Sequence, residues 1–456
     1  MFFDWEELEK SIFQCKSAWV LGGGISGESA GKLLKTLGFE VHLLDQKPNS
    51  NWDGWASTSV DTNPPEKKPD LLIKSPGILP WHPILKNLRD TLVLSEICLA
   101  KLFFKGTIIG ITGTDGKSTT TALTAHLLAG TYPETKMGGN IGVPFSSFCR
   151  EAKGPVVLEL SSYQLEDSPP LDVKFSAITN LAEDHLERHG NMENYALAKW
   201  KIRSNKKDSV CLTQSKFLKY MPKNSWEIAS NLEFFAPPPR GSFWIEENKI
   251  RTTKFTYDAS QFSLSGSHNL ENLAFAIRLC ELMAVSPDGI QNRINSFRGL
   301  PFRFETCPKE WTKKYPKTKF INDSKATNFH STLAGLGNPI PNSQLFLILG
   351  GIPKKESLDP FFGWWQISKA SLFVYGQASK DWKNAIESFA LTNQNLTYQL
   401  CENLDQVILN LKEQLIPDKA NLVIFSPACA SFDQFKNFEE RGSHFNSLIQ
   451  GTFGTS

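Results

Sequence analysis

The chain has 456 residues, roughly three times the ~150-residue prior for one domain, so its apolar residues serve several cores rather than one. With 40% hydrophobic and 21% charged residues it lacks the charge-rich, aromatic-poor balance of a disordered protein. Its 49 Lys plus Arg stand against 47 Asp plus Glu, and a net charge of +2 provides no global field for nucleic acid or an anionic membrane, so any phosphate site must be local.

The N-terminal segment MFFDWEELEKSIFQCKSAWV carries acidic residues where a secretion signal has a basic start, and no run in the chain approaches ~18 apolar residues. A soluble, cytoplasmic, monomeric protein without membrane insertion or a nucleic-acid partner is expected. The cysteines at 15, 98, 149, 211, 280, 307, 401 and 429 never form a C-x-x-C pair and are too scattered for a zinc knuckle, which agrees with a reducing compartment.

Short apolar runs recur, each followed by a turn and a helix-like stretch: Ala18 to Leu21, Val41 to Leu44, Leu71 to Lys74, Thr107 to Thr112, Val156 to Leu160, Phe175 to Thr179, Phe320 to Asn322, Leu345 to Leu349, Leu372 to Tyr375 and Leu422 to Phe425. Runs this short read as buried strands of parallel α/β layers. A fresh strand and glycine loop begin at Thr107, and Arg298-Gly-Leu-Pro301 interrupts the chain before another α/β series. Three domains are expected, 1–105, 106–300 and 301–456. The stretch from Asp208 to Ser265 reads poorly.

The first glycine loop, Gly22-Gly-Gly-Ile-Ser-Gly27, satisfies G-x-G-x-x-G between a strand and a helix, with Asp45 ending the next strand. Its glycines allow a backbone to approach a diphosphate at a helix N-terminus, and Asp45 offers acceptors to a ribose or base. From this loop alone a dinucleotide and another diphosphate ligand are indistinguishable. The second loop, Gly113-Thr-Asp-Gly-Lys-Ser-Thr119, reads as an ATP phosphate cradle in which Lys117 reaches the β- and γ-phosphates and the Ser118 hydroxyl ligates magnesium. It is a shortened form, because position 111 is isoleucine where the longer motif has glycine.

Downstream, Glu159 closes a buried strand ahead of Ser161-Ser-Tyr-Gln-Leu-Glu166, and a carboxylate there is costly unless a cation compensates it, for which magnesium is suited. Thr179-Asn-Leu-Ala-Glu-Asp-His185 follows a third strand, and Lys199 closes Tyr195-Ala-Leu-Ala-Lys199 on a helix-like segment.

Taken with Gly138-Gly-Asn-Ile-Gly142, Gly266-Ser-His-Asn269, Arg303-Phe-Glu305, Asn322-Asp-Ser-Lys-Ala-Thr327 and the segment Ser426 to Gly442, these motifs resemble the Mur ligases over nearly the whole chain. The C-terminal segment SPACASFDQFKNFEERG resembles the branch that adds D-glutamate. The resemblance implies a Rossmann-like N-terminal domain for the UDP of UDP-N-acetylmuramoyl-L-alanine, a central P-loop ATPase-like domain with a mainly parallel sheet, and a Rossmann-like C-terminal domain for the incoming amino acid. ATP would phosphorylate the substrate carboxylate, and the amine of D-glutamate would attack the acyl phosphate.

Residue by residue, the resemblance implies that Gly24, Ile25, Ser26, Asp45, Gly77 and Asn140 contact the UDP substrate. It implies that Gly113, Thr114, Asp115, Gly116, Lys117, Ser118, Thr119, Asn269, Arg303 and Asp323 contact ATP. Lys325, Thr327, Lys354, Ser431 and Phe438 match the region that receives D-glutamate. Lys117, Asn140, His185 and Lys199 match catalytic positions. Two magnesium ions are implied, one on Ser118 and Glu159 and one on His185 and Lys199, the lysine as a carbamate.

Three places depart from the family pattern: Phe302 stands where His is usual, Asp115 stands where Asn is usual, and the segment Gly350 to Glu356 has Pro353 and Lys355 where Asp and Gly are common. The alternatives are another Mur-type or folylpolyglutamate-type amide ligase with a different amino acid, a NAD-dependent dehydrogenase built on the first loop, and a non-catalytic nucleotide-binding module. No D-N-P-R stretch of the diamino-acid ligases is present.

Overall fold

The computed structural model describes residues 4–47, 52–88, 91–149, 153–204, 206–222, 231–264, 266–336, 343–354, 356–393 and 395–454. The architecture is mixed α/β with mainly parallel sheets, and the chain divides into two compact units, residues 1–298 and 299–456. All ten apolar runs form strands.

In the first unit, strands β1 (Ser17–Leu21), β2 (Glu40–Asp45), β3 (Ser57–Val60), β4 (Leu71–Lys74) and β5 (Leu92–Ser95) form a parallel sheet of order β3-β2-β1-β4-β5. All four residues of β4 are buried, as a sheet covered on both faces requires. Because β1 lies between β2 and β4, the order of the strands reverses beside it, and the C-terminal ends of β1 and β4 flank the switch point at which open α/β sheets have their ligand crevice. The glycine loop from Gly22 and the turn Ser75-Pro76-Gly77 stand at those two ends.

A second sheet holds β6 (Ile108–Thr112), β7 (Lys136–Gly139), β8 (Val156–Glu159), β9 (Phe175–Ile178), β10 (Val210–Thr213) and β11 (Leu232–Phe234), again parallel, in the order β11-β10-β9-β6-β8-β7. β6 sits between β8 and β9, so the loops after these three strands emerge side by side. The two sheets share a continuous apolar core. It joins Val20, Leu71 and Ile73 through Ile97 and Leu99 of the helix Glu96–Phe103 and through Phe145 to Val156, Leu158 and Ile178.

The stretch that resists sequence reading contains β10 and β11 at the sheet edge and an antiparallel meander, β12 (Phe243–Glu246), β13 (Lys249–Thr252) and β14 (Thr256–Asp258). These strands have three or four residues, and β13 alternates exposed and buried positions, so no apolar run marks them.

In the second unit, β15 (Glu305–Thr306) pairs antiparallel at the edge of an otherwise parallel sheet of β16 (Thr318–Asn322), β17 (Gln344–Gly350), β18 (Ser371–Tyr375), β19 (Tyr398–Cys401) and β20 (Asn421–Phe425), ordered β15-β16-β20-β17-β18-β19. Along β17, Phe346 and Ile348 join the core on one face while Leu347 and Leu349 join the core on the other. Two-sided burial is why this strand reads as a continuous apolar run. None of the eight cysteines, all described, forms a disulfide.

Gly22 has φ +98°, the left-handed region that favours glycine. A Cβ on Gly27 would collide with the Gly22 carbonyl oxygen, whereas a Cβ on Gly24 would meet nothing within 4 Å. Gly27→Ala is therefore expected to push the helix Ile25–Thr36 off β1 and to cost about 1–3 kcal/mol, while Gly24→Ala stays within about 0.5 kcal/mol. Thermal unfolding of both variants checks this, and equal effects would contradict the packing described.

Candidate active site

β6 ends at Thr112, and the chain enters the helix Lys117–Leu128 after only four residues, Gly113 to Gly116. Gly113 has φ +154° and Gly116 has φ +75°. A Cβ on the first would strike the Thr179 hydroxyl and on the second the Asn272 side-chain oxygen, so close approach requires glycine at both. The first-turn amides of this helix point out of its positive end, where an anion is stabilised.

The loop's shape is fixed from β9. Asn180 accepts hydrogen bonds through Oδ1 from the Thr114 amide at 3.1 Å and the Asp115 amide at 2.9 Å, and its Nδ2 donates to the Asp115 carbonyl at 3.2 Å. The Thr179 hydroxyl donates to the same carbonyl at 2.8 Å. Lys117 Nζ donates to the Thr114 carbonyl at 2.7 Å, and the exposed Asp115 occupies the loop tip. From the other side, Asn272 accepts from the Thr120 hydroxyl at 3.2 Å and donates to Asn269 Oδ1 at 3.4 Å, which ties Asn269 to the cradle. Asn180, Thr179 and Asn272 are absent from the sequence-derived site. They hold loop backbone rather than facing a ligand, and only the position of Thr179 and Asn180 at a strand end beside the motif signals them.

Glu159, the last residue of β8, is 2% exposed, and one carboxylate oxygen accepts from Asn140 Nδ2 at 2.8 Å. The other oxygen is buried without a hydrogen-bond partner. Lys199, 1% exposed on the helix Met192–Trp200, donates from Nζ to the Gly113 carbonyl at 2.7 Å and lies 4.4 Å above the Tyr195 ring. Burial, reinforced by the Lys117 charge, drives its ammonium well below the ordinary lysine range. His185, at φ +54° where the chain enters the short helix Leu186–His189, places Nδ1 3.0 Å from the Tyr163 hydroxyl. Burial raises the Tyr195 phenol to about 12, and its hydroxyl lies 3.3 Å from that of Thr114. The structure thus gathers Gly113 to Thr119, Asn140, Glu159, His185, Lys199 and Asn269 at the C-terminal ends of β6, β8 and β9 and the helix termini beside them.

At the first loop, Gly24 caps the helix Ile25–Thr36, Ile25 is exposed, and Ser26 occupies the first turn. Asp45 accepts from the Gly23 amide at 2.7 Å through one oxygen and from the Lys47 amide at 3.0 Å through the other. It therefore ties the glycine loop to the turn that follows β2. Gly77 is exposed on the opposite rim.

Arg303, Asp323, Lys325, Thr327, Lys354, Ser431 and Phe438 all belong to the second unit. Asp323 follows β16 and accepts from the Ser426 hydroxyl at 2.6 Å and the Phe304 amide at 3.1 Å, and burial raises its carboxyl to about 6. Lys325 Nζ lies 4.0 Å above the Phe438 ring. The loop after β17 pairs with the loop after β20 through an Ile352–Ala430 bridge, setting the exposed Lys354 on the strand-end loop that faces the buried Ser431 segment. Thr327 sits before the helix Phe329–Leu336. Phe302, at φ +60°, packs on Gly442 and donates its amide to Glu305, so this aromatic substitution is absorbed within the unit. Lys355 lies outside the described residues.

Such a site defines a class: an α/β protein with a nucleotide-phosphate cradle, a buried carboxylate able to receive a cation, and a buried lysine beside both. Residues 111–280 match the Mur ligase middle domain. The chain is 44% identical to the UDP-N-acetylmuramoylalanine–D-glutamate ligase of Leptospira interrogans serogroup Icterohaemorrhagiae serovar Lai over 94% of this chain and 95% of that one. It is 32% identical to the ligase of the same name from a Hydrogenobaculum species, over 96% and 99%. The chain belongs to the Mur ligase family, the ATP-dependent ligases of peptidoglycan-precursor synthesis, and groups there with the D-glutamate ligases. The fold is that of the UDP-N-acetylmuramate–alanine ligase MurC from Thermotoga maritima, with TM-score 0.57 and 17% identity over 96% of this chain and 100% of that one.

Asn180→Ala removes the side-chain acceptor of the Asp115 amide and one of the two acceptors of the Thr114 amide, whose bond to the Asn180 carbonyl remains. ADP affinity is expected to fall roughly tenfold, as for loss of a buried hydrogen-bonding partner. Calorimetric titration of both proteins tests this, and unchanged affinity would show that the loop keeps its shape without Asn180.

Proposed function

We propose that this chain joins D-glutamate to UDP-N-acetylmuramoyl-L-alanine with hydrolysis of ATP to ADP and phosphate, in the cytoplasm and as a monomer. Three functional domains divide the work: residues 1–105 hold the UDP substrate, 106–300 hold ATP, and 301–456 receive D-glutamate. The observation that carries the reading is the buried, half-paired Glu159 beside the loop Gly113 to Gly116, in a chain 44% identical to named D-glutamate ligases.

The residues fit magnesium. The Glu159 oxygen that is buried without a hydrogen-bond partner is a hard anionic donor for a cation, and one carboxylate, the Ser118 hydroxyl and the substrate phosphates would make the usual magnesium shell. Glu159 and Ser118 would hold one ion, and His185 and Lys199 the second. Bound there, magnesium screens the phosphate and carboxylate charges from one another.

The first-turn amides of the helix Lys117–Leu128 and the Lys117 ammonium would cradle the phosphates and stabilise charge on the transferring phosphoryl group, and Asn140, anchored on Glu159, would reach toward the reacting carboxylate. A carboxylate is a poor electrophile; as an acyl phosphate it has a leaving group, which the D-glutamate amine displaces. Lys325 and Lys354 offer cations to the carboxylates of D-glutamate, with Thr327, Ser431 and Phe438 shaping its seat, while Arg303 and Asp323 complete the ATP contacts. The first loop, with Gly24, Ile25, Ser26, Asp45 and Gly77, takes the UDP.

Lys199 reverses its charge. Burial favours the neutral amine, whose nitrogen attacks carbon dioxide, forms an N–C bond and releases a proton to water, leaving an anionic carbamate. Lys199→Arg is expected to lose nearly all turnover, because guanidinium stays cationic and forms no such carbamate, and excess acetate is expected to restore part of it in Lys199→Ala by supplying an anionic oxygen. In a phosphate-release assay D-glutamate, and neither L-glutamate nor L-alanine, drives turnover. Full activity of Lys199→Arg, or equal turnover with L-alanine, would refute the respective assignment.

A further inference from the structure

Lys74, the last residue of β4, leads directly into Ser75-Pro76-Gly77 on the rim of the first crevice. Its Nζ lies 2.5 Å from Asp167, and the two side chains are 4% and 11% exposed. Asp167 closes the helix Ser162–Glu166, which begins just after Glu159 and is locked at its start by reciprocal bonds between Ser161 and Gln164. One end of this short helix is thus tied to the buried carboxylate, and the other to the strand that carries the crevice loop.

Arg188 completes the tie. Its Nε donates to Glu166 at 2.7 Å, Nη2 stands 3.8 Å from Asp167, and Nη1 donates to the Pro76 carbonyl at 2.9 Å. The guanidinium also lies 4.1 Å above the Tyr163 ring, whose hydroxyl is 3.0 Å from His185 Nδ1. With its side chain 5% exposed, Arg188 touches the crevice loop, the acidic helix end and the ring that orients His185. A planar fork directs separate donors to the Glu166 carboxylate and the Pro76 carbonyl at fixed angles while stacking flat on the ring, a rigid geometry that a point-charge ammonium on a flexible stem does not reproduce.

We propose that Arg188 is a positioning residue that fixes the spacing between the loop Ser75 to Gly77 and the Tyr163–His185 pair beside the ATP cradle. The inference rests on the reading above that this crevice holds the UDP end of the substrate while its carboxylate reacts near His185. The spacing matters because a displacement of about 1 Å costs up to roughly a hundredfold in rate.

The test uses Arg188→Lys and Arg188→Gln in the full chain, with calorimetric affinities for UDP-N-acetylmuramoyl-L-alanine and for ADP, steady-state kinetics and thermal unfolding. For Arg188→Lys the substrate Kd and KM are expected to rise about tenfold and kcat to fall about tenfold, with the ADP Kd unchanged. Tyr163→Phe is expected to lower kcat in the wild type and to add little in Arg188→Lys, because the two side chains act through one contact. If Arg188→Gln fails to fold, the lysine variant carries the comparison. A folded Arg188→Lys protein with a lowered unfolding temperature but wild-type KM and kcat, or an additive double variant, would overturn the positioning role alone. Failure of the wild-type chain to bind UDP-N-acetylmuramoyl-L-alanine would overturn the crevice reading and the proposal together.

Discussion

Two ionisable side chains buried at the C-terminal end of one parallel sheet, Glu159 and Lys199, govern the rest of this site. Desolvating such charges costs several kcal/mol each unless partners compensate. The fold supplies only part of that compensation: Asn140 for one Glu159 oxygen, and the Gly113 carbonyl and the Tyr195 ring for the lysine. The remainder is left for what binds. A sheet that places β6 between β8 and β9 is what brings the cradle, the carboxylate and the loop of His185 to one edge.

The same economy appears in the cradle. Its two glycines are required by contacts with Thr179 and Asn272, so the loop is clamped from both flanking elements before any nucleotide arrives. The bonds from Asn180 fix two of its amides inward, leaving the helix N-terminus to meet the phosphates. Preorganisation of this kind avoids reorganisation during phosphoryl transfer, where stabilising developing charge is the main task of the protein.

Much of this was legible in the residues. Strands buried on both faces announce themselves as apolar runs, as β4 and β17 do, and each glycine motif lies between a strand and a helix. The backbone-holding roles of Asn180, inside a motif that the sequence singles out, and of Asn272 were not legible, because both are ordinary polar residues until their partners are placed. Asp45 shows the reverse: its position suggests a ligand contact, yet both its oxygens also bond loop amides. The burial of Lys199 could not be read from a helix lysine, which is ordinarily solvated. The meander β12 to β14 escaped because its strands are short and half-exposed.

The central claim is that Glu159 is left half-paired in order to receive a cation together with the nucleotide. Thermal unfolding in ADP, with and without magnesium, of the wild type and of Glu159→Gln tests it most directly. The account predicts that magnesium adds to the stabilisation by ADP in the wild type and adds little in Glu159→Gln, while metal-free ADP stabilises both. The same magnesium-dependent shift in both proteins would contradict it.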